Sequence, residues 1–330
     1  MFKDYLKKIY ILSKKILSKC GEYIIYALNS WPRAIVGTAV LVVILYYPVG
    51  GSMVEKIDRD LNFRIKTDDR ISSTIDIMHI LVDREINEHF WTANLPIFFP
   101  SYFLDNMPNY QMGMIKAIAN VATPISEQIR CQDNEKEEVY MKTAAELLSY
   151  PGDVWVFSPD NKLKIAPSSS SQYRKARKRL LDVNEVLDAE LCIWHRGSRD
   201  LSSVVSKITA DLGDISNKLE KQTDEESLSW FDIKSDDVFY ISQGKIYVYA
   251  VLMKALAQDY KETILANNLY QDWTKAVRAL ENAVEIQPQM VRNGNLNSSF
   301  ASNHLISMGY YAAKAENILL KINSTLSGDK

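Results

Sequence analysis

The sequence predicts an all-α protein: a single N-terminal transmembrane helix followed by a large multi-helix domain with a long helical hairpin. Three observations carry this. Ala34 to Val54 runs for 21 positions with no ionisable side chain except Tyr46 and Tyr47. Gly and Pro are sparse, 12 and 10 in 330 residues, which disfavours turn-rich β architecture. Most other apolar residues recur at the 3-and-4 spacing of a helical face.

At about 1.5 Å per residue the apolar stretch covers roughly 30 Å, the thickness of a bilayer's hydrocarbon core. Trp31 and Arg33 stand at one end, and Tyr46 and Tyr47 stand near the other, where interfacial aromatics belong. Pro48 and the Gly50-Gly51 pair are expected to end or kink the helix. The well-formed part would then be Ala34 to Tyr47, about 21 Å long. A buried core helix seldom lacks charge for this long. A cleaved signal peptide is disfavoured by its 33-residue basic lead and by the lack of an A-x-A-like site. The chain therefore divides into a basic amphipathic cytoplasmic segment (1–30), a transmembrane signal anchor (31–54) and an extracytoplasmic α-helical domain (55–330).

Orientation rests on two arguments. Residues 1–33 carry seven Lys and Arg against Asp4 and Glu22, a short basic tail that is costly to move outward. Long domains, by contrast, translocate largely regardless of charge. The bases near the two ends of the span are almost balanced, since Lys56, Arg59, Arg64, Lys66 and Arg70 follow it closely. The expected location is the bacterial inner membrane, single-pass, with the C-terminal domain periplasmic. Removing the tail's +5 from the total of −2 leaves −7 on the remainder, a poor nucleic-acid binder. Three cysteines are too few for a disulfide scaffold; Cys131 and Cys192 could pair in an oxidising compartment, but two buried free thiols are the favoured reading.

In chain order, residues 2–28 alternate apolar and lysine positions as an amphipathic helix suited to an anionic leaflet. A charged link (Glu55 to Arg70) leads to a helix over Ile71 to Phe90. The segment after it, from Trp91 to Asn109, is aromatic yet broken by Pro96, Pro100 and Pro108, and reads as a packed loop or short turns. Helices follow around Ile115–Ile129, with a kink at Pro124, and around Thr143–Leu148. Asp153 to Phe157 is the one strand-like run. Ser168 to Ser171 is a helix start, and Tyr173 to Glu220 reads as the hairpin, with a polar break at Gln222–Ser229. Ser235 is expected to cap a helix that is apolar almost all round from Val238 to Leu256, the buried centre. Helices at Trp273–Ile286 and Ser302–Ile322, around a loop at Pro288–Phe300, complete the domain.

The span ending in YYPVG, then DREINEHFWTAN (Asp83 to Asn94), LDNMPNYQMG (Leu104 to Gly113), YPGDVWVF (Tyr150 to Phe157), DDVFY (Asp236 to Tyr240) and NHLISMGYY (Asn303 to Tyr311) resemble the bacterial domain of unknown function 2333 family. The resemblance covers nearly everything from the span to residue 320. It implies a bacterial, inner-membrane protein and transfers no catalytic residue.

The richest polar cluster is Asp83, Glu85, Glu88, His89, Trp91 and Asn94. Glu85 and His89 are four apart, so on a helix they share a face and form either an acid–base pair or a plain i,i+4 pair. The pattern is not H-E-x-x-H, and no metal site or cofactor is assigned. Asp105, Asn106 and Asn109 suggest Asx-type turns, with a ligand pocket that includes Trp91 as the weaker reading. His79 reads as a core histidine, His195 as exposed and His304 as capping or packing. No Walker loop, G-x-G-x-x-G, G-x-S-x-G or C-x-x-C occurs. The resulting expectation is an anchored envelope protein whose domain binds or scaffolds an envelope component, with membrane lipid and an envelope protein as partners. The alternative is a tethered hydrolase or metal-dependent enzyme using Glu85, His89, Asp83 and Asn94. A third is a lipid or small-ligand cavity lined by Phe90 to Phe103.

Overall fold

A computed structural model describes residues 2–62, 72–131, 135–155, 166–224, 233–288 and 303–328. Helix α1 (Phe2–Val54) is continuous and carries Pro32 and Pro48 inside it. The expected stop at Tyr47 is therefore corrected. Pro48 removes one backbone N–H, yet the last turns are held from outside. Tyr46 and Tyr47 donate to the carbonyls of Phe98 and Ile97, each at 2.8 Å. Gly50 and Gly51 lie directly against Pro100 and Leu104; a Cβ built on Gly50 would stand 2.5 Å from Pro100 Cβ. The glycines permit close packing here and do not terminate the helix. Trp31–Val54 is long and apolar enough to cross a membrane, and only 6% of its most apolar window is buried. That exposure removes the core-helix reading.

The domain is built on α7 (Ile233–Asp259). Its apolar surface is buried on all sides, from Phe239 through Tyr247, Tyr249 and Leu252 to Leu256, as the lack of a polar face predicts. It begins two residues before Ser235, so Ser235 lies inside the helix and is not its cap. Helix α3 (Asn106–Ser126) crosses it at very short range. A Cβ on Gly113 would stand 2.2 Å from the carbonyl oxygen of Ile241, and one on Gly244 would stand 2.2 Å from that of Tyr110. The two glycines, one per helix, let the backbones touch.

Around this crossing lie α2 (Ser73–Asp83), α4 (Glu135–Leu148), α5 (Ser169–Asp188), α6 (Ser198–Asp224), α8 (Lys261–Ala266), α9 (Tyr270–Val284) and α10 (His304–Ser327). Ser72 caps α2, Ser168 caps α5 and Asn303 caps α10, each accepting from the backbone N–H three residues on. The two helices expected over Tyr173–Glu220 form, but they do not pack as a hairpin. Helix α5 lies on α2 and α4, whereas α6 pairs along its length with α10 and also meets α3 and α7. The coiled-coil-like stripe Leu201–Val205–Ile208–Leu212–Ile215–Leu219 is real, and its partner is the C-terminal helix.

The turn between α5 and α6 is replaced by a strand. Strands β1 (Ile129–Cys131) and β2 (Cys192–Trp194) pair antiparallel with Cys131 opposite Cys192. The cysteines are disulfide-bonded, their Cα atoms 4.0 Å apart, which corrects the free-thiol expectation. Directly opposed residues of an antiparallel pair come close enough to bond, and no local pattern announces that pairing. Asp153–Trp155 is not a strand among the described residues, and Phe157 lies outside them, as do most of the polar break after Gln222 and most of the Pro288–Phe300 loop.

Candidate functional site

Helix α2 does not stop at Asp83. It continues as a π-helical turn, Arg84–Glu88, in which the His89 N–H bonds back to the Arg84 carbonyl at 2.9 Å. One extra residue per turn re-aims consecutive side chains. Arg84 and Glu85 both face inward, 5% and 1% exposed. Phe90, at φ 72°, then turns the chain away in a conformation that L residues other than Asn and Asp seldom adopt.

The two inward charges sit in a complete network. Arg84 Nε donates to Glu85 Oε1 at 2.9 Å, and Arg84 Nη1 reaches Tyr247 Oη at 2.9 Å and Asp58 Oδ2 at 3.1 Å. Tyr247 Oη donates onward to the Asp60 carbonyl, and Tyr110 Oη donates to that of Asp58. Gln111 Nε2 donates to Glu85 Oε2 at 3.2 Å and to the Phe90 carbonyl at 2.9 Å, while its Oε1 accepts from Thr92. His89 Nδ1 stands 3.4 Å from Glu85 Oε1, too loose and misaligned to count as a hydrogen bond. Burial acts to lower the Arg84 pKa, and the attraction of Glu85, Tyr247 and Asp58 outweighs it, so the guanidinium stays charged. Burial raises the Tyr247 pKa against the opposing pull of Arg84, so the phenol stays neutral.

The predicted cluster is therefore divided. Glu85 and His89 are brought together; Asp83, Asn94 and Trp91 are not with them. Asp83 holds Asn87 and Arg177. Asn94 donates to the Val154 carbonyl and Trp91 to that of Gly152, both at 2.9 Å, fastening the aromatic loop to the Tyr150–Trp155 segment. Asp105 accepts from the Asn106 N–H at the start of α3, one residue on and not the two of an Asx turn, and Asn109 donates to Asp237. Asn106 Nδ2 reaches Glu55 at 3.5 Å. His79 is half-buried against the Arg177 carbonyl, 3.3 Å away. Among the described residues, no group of three or more His, Cys, Asp and Glu is placed to hold a metal ion.

Two cavities are relevant. The first, about 180 Å³, is lined by Ile86, Phe90, Trp91, Asn94, Phe99 and Arg174 among others. It is smaller than the roughly 300 Å³ at which drug-sized ligand sites begin. The second, about 420 Å³, opens between α3, α6, α7 and the Tyr150–Gly152 turn, with Lys116, Asn120, Asp211 and Lys245 at its polar side. Lys245 is fixed to Asp211 at 2.5 Å, and Tyr249 and Asn120 complete that network. Partial burial lowers the Lys116 pKa, helped by the charges of Lys245 and Lys218. Sequence reasoning missed this group. Its one available signal was Lys245 inside an apolar helix, since a buried lysine requires a partner.

A family model described as an uncharacterised protein conserved in bacteria, DUF2333, matches residues 71–231 and 220–328, and the chain belongs to that family. No curated protein and no solved structure matches it.

Proposed function

We propose, from membership of this bacterial family, that the chain is a single-pass protein of the inner membrane. Its N-terminus is cytoplasmic, and its helical domain stands in the periplasm, where it binds or scaffolds an envelope component. The observation that carries the reading is the Cys131–Cys192 disulfide beyond an exposed apolar helix. Disulfides persist in oxidising compartments, and the periplasm is the one that adjoins the inner membrane. That argument supplies what the near-balanced Lys and Arg counts around the span do not. The partners are membrane lipid and an envelope protein; an acidic domain disfavours nucleic acid.

The alternative of an enzyme working through Glu85 gains no support from the geometry. Both carboxylate oxygens are occupied by Arg84 and Gln111, and the group is shut off from solvent. A general base needs a reacting proton within reach.

The test is a pair of fusions after Lys330, one reporter active only outside the membrane and one active only inside, with thiol counting on the native chain. Outside activity with one reactive thiol, Cys20, supports the reading. Inside activity, or three reactive thiols without reductant, overturns the orientation. In-cell crosslinking from the domain then tests the scaffold role, which fails if no envelope component is recovered reproducibly.

A further inference from the structure

We propose that the loop Pro96–Phe103 is a second membrane contact, an aromatic lobe seated in the leaflet on the domain's side, against the end of α1. This rests on the reading that α1 crosses the bilayer, and adds where the domain meets it.

Depth comes from the helix itself. With Arg33 at the inner boundary, a hydrocarbon core of roughly 30 Å takes about 20 residues, ending near Met53. Tyr46 and Tyr47 hold the loop at roughly 20–21 Å along that path, and Gly50 and Gly51 seat it at roughly 26–27 Å. The attached loop thus begins inside the core, some 3–10 Å short of its edge by the same rise. Sliding α1 outward to clear the loop would draw Arg33 by as much into hydrocarbon. An arginine is among the most costly side chains to place there.

The loop's chemistry suits that depth. From Trp91 to Leu104 there is no charged residue in 14 positions. Ile97, Phe98 and Phe103, within seven residues of chain, are 59–64% exposed, apolar side chains that water does not favour. Non-helical backbone near a membrane is tolerated to the extent that its polar groups find partners, and part of this loop's backbone is paired within the protein. Here the Ile97 and Phe98 carbonyls accept from Tyr47 and Tyr46. The N–H groups of Phe99, Tyr102 and Leu104 bond to the carbonyls of Pro96, Phe99 and Ser101. Pro96 and Pro100 bring no N–H at all. The prolines that look like mere breakers in the sequence therefore reduce the number of donors to be paired.

The experiment uses full-length chain in phosphatidylethanolamine–phosphatidylglycerol vesicles, in a Cys20→Ser background. An environment-sensitive fluorophore is attached at Ile97→Cys, at Phe98→Cys or, within the span, at Val43→Cys, using only variants that keep the wild-type melting temperature. Spin-labelled lipid and aqueous iodide are the two quenchers. The expected result is loss of most emission to spin-labelled lipid at all three positions, with the two loop positions protected from iodide. Lipid quenching at Val43 with iodide quenching at 97 and 98 overturns the lobe and leaves the span intact. Protection of 97 and 98 from both quenchers also overturns it, and marks the loop as covered by protein. No lipid quenching at Val43 defeats the underlying reading and the lobe with it.

Discussion

The α3–α7 crossing makes the sharpest prediction, because its sign opposes the usual one. Replacing a helical glycine by alanine ordinarily stabilises by up to about 1 kcal/mol. At Gly113 and Gly244 the new methyl would stand 2.2 Å from a carbonyl oxygen of the facing helix, which cannot rotate aside. Restoring ordinary contact parts the helices by about 1 Å or more, a gap that forfeits roughly a quarter to a half of each contact's attraction. Overpacking of this kind costs about 1–3 kcal/mol, and the upper end applies where backbone must move. Set against the propensity gain, Gly113→Ala and Gly244→Ala should each lose about 2 kcal/mol. For a domain of this size that lowers the melting temperature by about 4–8 °C. Gly309 on α10 is the control, since its Cβ would meet Leu219 at an ordinary 3.6 Å. Gly309→Ala should raise the melting temperature by up to about 2–4 °C. The assay is thermal unfolding of the full chain in detergent by far-ultraviolet circular dichroism. The double alanine variant should lose less than the two single losses combined, because one separation relieves both clashes. If Gly113→Ala and Gly244→Ala melt at or above wild type, the close crossing is wrong.

Three further outcomes are expected. Reducing Cys131–Cys192, which closes a 61-residue separation, should cost up to about 4 kcal/mol and lower the melting temperature; an unchanged melt under reductant refutes a stabilising role. Arg84→Met should destabilise by about 3–5 kcal/mol in the same melting assay, since Glu85 is left as a buried charge without its cation, and a loss under 1 kcal/mol would place Glu85 in water. Burial lowers the His79 pKa; the hydrogen bond to the Arg177 carbonyl and the charges of Asp83 and Asp76 oppose the shift, and the Arg177 charge adds to it. The unfolded chain therefore protonates first, and stability present above about pH 6.5 should fall as pH drops below it. His79→Gln should flatten that part of a melting-temperature profile between pH 8 and 5; an identical slope would assign the dependence elsewhere.

The candidate site shows where sequence reading stops. The i,i+4 spacing of Glu85 and His89 did predict their approach. What the spacing could not carry is the π turn, which swings Arg84 inward beside Glu85 and hands the carboxylate to Gln111 of another helix. Nor could it show that Asn94 and Trp91 serve the Tyr150–Trp155 segment, some 60 residues away in the chain.

By itself the sequence determined the apolar helix long enough to cross a membrane, the all-helical class, the buried central helix and the helix start at Ser168. Each depends on hydropathy and periodicity along a single element, or on a cap within one turn, all of which are written in neighbouring residues. Tertiary structure alone decided which helix covers the α6 stripe, that Cys131 meets Cys192, and that Gly50-Gly51 continue α1 where termination was expected. Those outcomes depend on partners 50 or more residues distant, where many pairings satisfy the same apolar pattern and only mutual shape selects one. A glycine is the clearest instance: whether it breaks a helix or admits another backbone depends on what lies against it.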